Sequence, residues 1–370
     1  MNSRRLFAAE GSIHLYSSPP TTLTPADLYV AREHSAFRQA IEGCNLYVVA
    51  ARPRILIDPA DFSVDRKVAL SGHFIVQRQE GVTQVPFRCE FTPEDAGGAE
   101  PIEAIGIVPS GTHVVLVTAT RRTMLASHVV VAMAQSALTD EDRDLEVLYV
   151  GQSIGRSSKR TALDRLLQHS TLQRILAEAT TYQPNQEIIL LLYRFEHGRI
   201  FASTGGDLNA EPTATSEEEL VHLDRMHNIK LDRRAIVSLA EAALIRHFQP
   251  YFNVQIKGND FTARSKIKVL ERLLMQDMTG LMVEISSANI QSRLRTASAP
   301  PLDLTELFEP SALNGSALES SEMKQQWAEE LHLMAHTQFA QFPLTNAQER
   351  DTFLHGMIWR GETQRQSFFR

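Results

Sequence analysis

The sequence predicts an α+β protein built from more than one unit. Three patterns lead there. Short runs rich in β-branched residues dominate the first third, helix-like and strand-like stretches alternate through the middle, and the last third reads mostly as amphipathic helices. The chain has 370 residues, 43% of them hydrophobic, which supports two or three packed domains. Charged residues make up 22% and the net charge is −7, so any surface for a polyanion must be local. Cys44 and Cys89 stand in no CxxC and near no histidine pair. No disulfide framework or zinc site is legible, and a reducing cytoplasm is the expected compartment. Met1 to Ser12 carries Arg4 and Arg5 but no apolar signal core, and no run has the length of a membrane span.

Residues 1–125 are expected to form a β-rich domain, a scaffold or a target-recognition unit. Pro25 to Ile41 reads as a helix. Leu46 to Ala50 and His113 to Ala119 read as strands, and Val68 to Gln79 with Val82 to Phe91 flank Glu80-Gly81 as a hairpin. In residues 126–260, His128 to Ala134 and Leu145 to Val150 are apolar runs around the polar turn Thr139 to Asp144, and suggest a second hairpin. A helix is expected from Thr161, with Asp164 completing a capping-box pattern. Glu187 to Arg194 reads as a buried strand, Gly205 to Glu219 as a loop insertion, and Asp232 to His247 as a helix stopped by Pro250. Residues 261–370 are expected to be mainly helical. Helices are placed at Ala263 to Met275, Met323 to Ala340 and Asn346 to Trp359, with one strand at Leu281 to Ile285 and a linker near Ala297 to Pro301. No internal repeat is evident.

The middle region holds the chemistry. Arg165 and His169, four apart, would share one face of a helix. Arg156, Lys159 and Arg160 precede them, so an arriving phosphate would meet cations and free N–H groups. A solvated basic face is the plainer interpretation of these charges. Glu241 has Val237, Leu244 and Ile245 as helical neighbours, which puts a carboxylate at the edge of a core. A divalent cation or an arginine would satisfy it. Tyr149, at a strand end, is either packing or a group that orients a water. Asn253, after Pro250-Tyr251-Phe252, reads alone as a turn residue.

In order, Tyr149-Val150-Gly151, Arg165 with His169, and Glu241 followed by Pro250-Tyr251-Phe252-Asn253 resemble the motifs of the GIY-YIG endonuclease superfamily. The likeness covers about residues 125–260. It implies a small mixed or antiparallel sheet flanked by helices and a metal-dependent endonuclease acting on nucleic acid, with DNA ahead of RNA. By resemblance, Glu241 would bind magnesium or manganese and Arg165 would steady the phosphate. Tyr149 and His169 would orient or activate water, and Asn253 would support them. Lys257, Arg264, Lys266 and Lys268 would join Arg156, Lys159 and Arg160 in a backbone-tracking groove. One departure stands out. The first motif lacks its tyrosine, because the strand expected at His128 to Met133 offers only His128.

That gap keeps open a protein that binds nucleic acid without cutting it. A third possibility is a serine hydrolase, since Gly151-Gln152-Ser153-Ile154-Gly155 is a literal G-x-S-x-G after a strand, with Ser153 as nucleophile. Against it, Arg156 to Arg160 intervenes before any helix and no glycine-rich oxyanion motif precedes it.

Overall fold

The structure is a computed structural model that describes residues 6–153, 162–195, 197–203, 211–253, 269, 271, 273–316 and 318–343. It is α+β, with open, largely antiparallel sheets and helices packed on their faces. In chain order the first elements are β1 (Glu10–Tyr16), β2 (Thr21–Leu23), α1 (Asp27–Glu33), α2 (Ser35–Ile41) and β3 (Leu46–Asp65). Then come β4 (Ala69–Arg78), β5 (Gly81–Glu90), β6 (Ala104–Ile107), β7 (His113–Val117), β8 (Arg122–Ala126), α3 (Ser127–Met133), β9 (Gln135–Ser136) and α4 (Asp140–Arg143). The middle of the chain gives β10 (Leu145–Gln152), α5 (Ala162–Leu166), α6 (Ser170–Tyr182), β11 (Gln186–Tyr193), β12 (His197–Ser203), α7 (Ser216–Asn228) and α8 (Arg233–Phe248). Last are β13 (Met278–Ser286), β14 (Leu294–Arg295), α9 (Leu304–Leu307), α10 (Pro310–Leu313), α11 (Ser321–Ala335) and β15 (Thr337–Pro343).

The long strand β3 organises the molecule. Its first half pairs antiparallel with β10 on one side and β11 on the other, and β2 and β14 extend that sheet. Its second half, from Arg54, pairs with β4, which leads on to β5 and β9. A second sheet runs β12-β1-β13-β15, and β6-β7-β8 form a third.

Period-two alternation divides β3 between two cores. Leu46, Val48 and Ala50 face a core shared with β1, β13 and the apolar side of α8. Tyr47, Val49 and Ala51 face α1, α5 and α6. The β4–β8 region and α3 close around a third core that includes Phe74, Phe87 and Leu116.

Several expectations change. His128 to Ala134 is not a strand paired with Leu145 to Val150. It is α3, because Val130, Val131 and Ala134 fill one side of the third core and packing overrides β-branched propensity. The partner of β10 is β3. The expected boundary near residue 125 therefore does not separate two sheets, since strands from both sides of it pair. Pro25 to Ile41 is two helices that break at extended His34. The insertion expected over Gly205 to Glu219 ends early, as Thr215 and Glu218 form a capping box that starts α7. Residues 204–210 lie outside the described residues.

In the last third, Met323 to Ala340 is α11 followed by β15, because Thr337 to Phe342 pairs along β13. With β13 lying parallel to β1, the described part of residues 261–370 is mixed rather than mainly helical. The helix expected at Asn346 to Trp359 lies outside the described residues.

Candidate active site

Tyr149 sits on β10, where a β-bulge between Val147 and Tyr149 shifts the pairing register by one residue. An unbroken strand would put Tyr149 on the same side as Val147, in the α8 core. The bulge turns it to the opposite side, where it packs with Tyr47. The two tyrosine rings lie 6.2 Å apart at 26°. Gly151 pairs with Tyr47 across the sheet. A Cβ at Gly151 would stand 2.6 Å from the Tyr47 hydroxyl and 2.7 Å from the Tyr149 ring. Only glycine lets both rings lie over this strand.

Tyr47 is the residue that sequence reasoning missed. Its signal was present, since Leu46-Tyr47-Val48-Val49 is a strand-like run. Nothing local ties that run to Tyr149, because β4 to β9 lie between them in sequence.

His169 completes an aromatic cluster. Its ring is 5.2 Å from that of Tyr149 and meets the Tyr47 ring edge-on at 5.8 Å. Arg165 and His169 do not share one face of a helix. α5 ends at Leu166, and His169, with extended backbone, is the N-cap of α6. Its Nδ1 accepts from the Leu172 N–H at 3.2 Å. That bond leaves the ring proton of neutral His169 on Nε2. Arg165, at the end of α5, is exposed at its outer side but reaches toward Tyr47. The guanidinium opposes the rise in the Tyr47 pKa, although among the described residues no well-aligned hydrogen bond ties the Tyr47 hydroxyl.

Both phenols are strongly perturbed. Burial drives the Tyr47 hydroxyl well above the usual phenol range, with Tyr149 and Glu241 adding to the shift. Tyr149 is pushed up to about 12, first by burial and then by the Glu241 charge, against Arg165 and Tyr47. Both tyrosines therefore sense Glu241.

Glu241 is half-buried on α8, beside fully buried Val237 and Leu244. Gln152, the last residue of β10, donates from Nε2 to Glu241 Oε2 at 2.8 Å. A strand amide thus satisfies part of the carboxylate. Among the described residues, no group of three or more His, Cys, Asp or Glu side chains is placed to hold a metal ion. Glu241 would serve as a single carboxylate ligand, a donor set that suits a hard cation retaining most of its waters.

Asn253 closes a turn, its N–H donating to the Pro250 carbonyl at 3.0 Å, and its side chain is also a clamp. Gln249 ends α8 in the left-handed region, and Phe252 then packs beneath the tyrosines. Asn253 Oδ1 accepts from Val150 N–H at 2.8 Å, and its Nδ2 donates to Val150 C=O at 2.9 Å. β14 pairs only with the start of β10, so the outer edge beside Tyr149 would otherwise bury an unmatched donor and acceptor. Asn45 does the same for Phe195 at the start of β3.

His128 belongs elsewhere. It is buried in α3 and its pKa is lowered to about 4, by burial first and then by the Arg52 charge. Ser153 is also buried, and its hydroxyl donates to the Cys44 carbonyl at 3.3 Å. Arg156, Lys159, Arg160, Lys257, Arg264, Lys266 and Lys268 lie outside the described residues. No family model, curated protein or solved structure matches the chain.

Proposed function

We propose that the protein is a metal-dependent endonuclease that hydrolyses phosphodiester bonds in nucleic acid, DNA ahead of RNA. The observation that carries this is the convergence of Tyr47, Tyr149, His169, Arg165 and Glu241 on one strand end. With Tyr47 beside Tyr149, the motif that lacked a tyrosine in sequence has one in space. That neighbour favours cleavage over binding alone.

Glu241 is the residue that would hold magnesium or manganese, which when bound supplies charge stabilisation for the phosphate and lowers the pKa of water. Arg165 would clamp the phosphate as negative charge builds on its oxygens. Both phenols keep their protons near neutral pH, so Tyr47 and Tyr149 act first as hydrogen-bonding groups that hold the attacking water. His169, with Nδ1 committed to Leu172, would hold its ring beside the tyrosines and help to position the water. Asn253 keeps the Tyr149 strand in place. Arg156, Lys159, Arg160, Lys257, Arg264, Lys266 and Lys268 would track the phosphate backbone.

The buried Ser153 hydroxyl, turned to a carbonyl, gives a serine hydrolase no support. No helix among the described residues is long and apolar enough to cross a membrane. The proposed compartment is the cytoplasm, where Cys44 and Cys89 remain buried thiols.

The test is plasmid nicking with magnesium or manganese, with and without a chelator. The expected result is chelator-sensitive cleavage that Glu241→Gln abolishes while the variant stays folded. A folded Glu241→Gln that cuts at the native rate, or a wild type that binds DNA and never cuts it, would overturn the proposal.

A further inference from the structure

Asn45 immediately precedes β3, two residues before Tyr47, and is buried. Its main chain joins the strands on either side. The N–H donates to the Tyr193 carbonyl at 2.9 Å, and the carbonyl accepts from the Ser153 N–H at 2.9 Å. These bonds lie beside the pairs that Leu46 makes with Tyr193 on β11 and Gln152 on β10. The side chain adds a third attachment. Oδ1 accepts from the Phe195 N–H at 2.9 Å, and Nδ2 donates to the Phe195 carbonyl at 3.0 Å. The two bonds agree on which end of the amide is which. Phe195 lies past the end of β11 and is fully buried, so losing Asn45 would take these partners from a buried donor and a buried acceptor.

Asn253 makes the same pair of bonds to Val150, next to Tyr149. Each strand that carries a tyrosine of the pair is therefore held by an asparagine amide closing on one residue's N–H and C=O. The residues before Asn45 tighten its end of the arrangement. The Cys44 carbonyl accepts from the Ser153 hydroxyl at 3.3 Å, and the Gly43 carbonyl accepts from Arg233 on α8 at 2.8 Å. Tyr47 depends on this anchor because it stands at the second residue of β3, where a strand frays unless its end is tied. It pairs with Gly151 on β10 and Leu192 on β11. The Tyr47 hydroxyl lies only 2.6 Å from where a Cβ on Gly151 would stand, so a small slip of β3 changes how the two rings meet.

We infer that Asn45 is a positioning residue for the cleavage reaction, holding the start of β3 so that the Tyr47 hydroxyl stays aligned with Tyr149. The inference rests on the nuclease reading above. Asn45 acts through Tyr47. A purely structural role would lower stability and leave the cleavage rate of the folded protein independent of the Tyr47 hydroxyl.

Single-turnover cleavage of bound DNA is measured for the full-chain wild type, Asn45→Ala, Tyr47→Phe and the double variant, at a temperature where unfolding curves show each of them folded. Asn45→Ser, whose hydroxyl can still bond one of the Phe195 groups, carries the comparison if the alanine variant does not fold. Asn45→Ala should bind DNA as the wild type does and cleave it about tenfold or more slowly, since a misplacement of about 1 Å can cost about a hundredfold. With Tyr47→Phe already in place, the Asn45 change should slow cleavage by less than about threefold, because the group it positions has gone. A folded Asn45 variant that cleaves at the wild-type rate overturns the inference and leaves the nuclease reading standing. A loss of equal size with and without the Tyr47 hydroxyl does the same, and reduces Asn45 to a structural tie. A wild type that binds DNA and never cuts it overturns the nuclease reading and the role of Asn45 with it.

Discussion

Tyr149 carries its environment in its proton affinity. Burial, then the nearby Glu241 charge, push its phenol up to about 12, while a tyrosine in the unfolded chain titrates near about 10. Below about pH 10 both states hold the proton, and the contribution to stability is fully present. As pH rises from about 10 toward about 12, the unfolded chain gives up its proton and the folded one retains it, so stability falls. Urea unfolding should therefore lose stability more steeply between about pH 9 and about pH 11 in the wild type than in Tyr149→Phe. Parallel curves would contradict the strongly perturbed environment assigned to Tyr149. At this scale legibility varied. The edge position of Glu241 follows from its apolar helical neighbours. The clamp role of Asn253 does not, because the groups it satisfies sit on a strand far away in sequence.

At the scale of elements, the segment after Ala162 is the most instructive. A capping-box pattern and a four-residue spacing predict one helix carrying Arg165 and His169. Instead α5 stops and His169 starts α6, yet both side chains still reach the Tyr47 hydroxyl region and its ring. His169 therefore has two separable duties, a cap and a ring beside the tyrosines. His169→Ala should cost about 0.5–2 kcal/mol of stability through the lost cap. His169→Asn, a good N-cap, should recover most of that and still fail to restore cleavage. Denaturant unfolding and cleavage rates, compared across the two variants, check this. Activity that returns with stability would reduce His169 to a structural cap. α8 was legible almost to the residue because Asp232 caps it and Pro250 follows its end. α3 was not, since its valines favour a strand and only the third core makes them helical.

At the scale of the molecule, the site depends on a pairing no local pattern reveals. β3 and β10 are neighbours in the sheet, while β4 to β9, α3 and α4 separate them along the chain. β3 continues past the site into that intervening region, so one strand serves both the tyrosine sheet and the β4–β5 ribbon. The α+β class and most elements could be read from periodicity and turn chemistry. The strand order could not, because a run such as Leu46 to Ala50 carries no label for its partner.

The central claim is that Tyr47 and Tyr149 form one catalytic pair across that insertion. Single-turnover cleavage of bound DNA by Tyr47→Phe tests it most directly, since the change removes one hydroxyl and keeps the ring that packs on Gly151. The expected result is a folded variant that binds DNA as the wild type does and cleaves it about a hundredfold more slowly, the scale of losing one preorganised hydrogen-bonding group. A Tyr47→Phe protein that cleaves bound DNA at the wild-type rate would contradict the account.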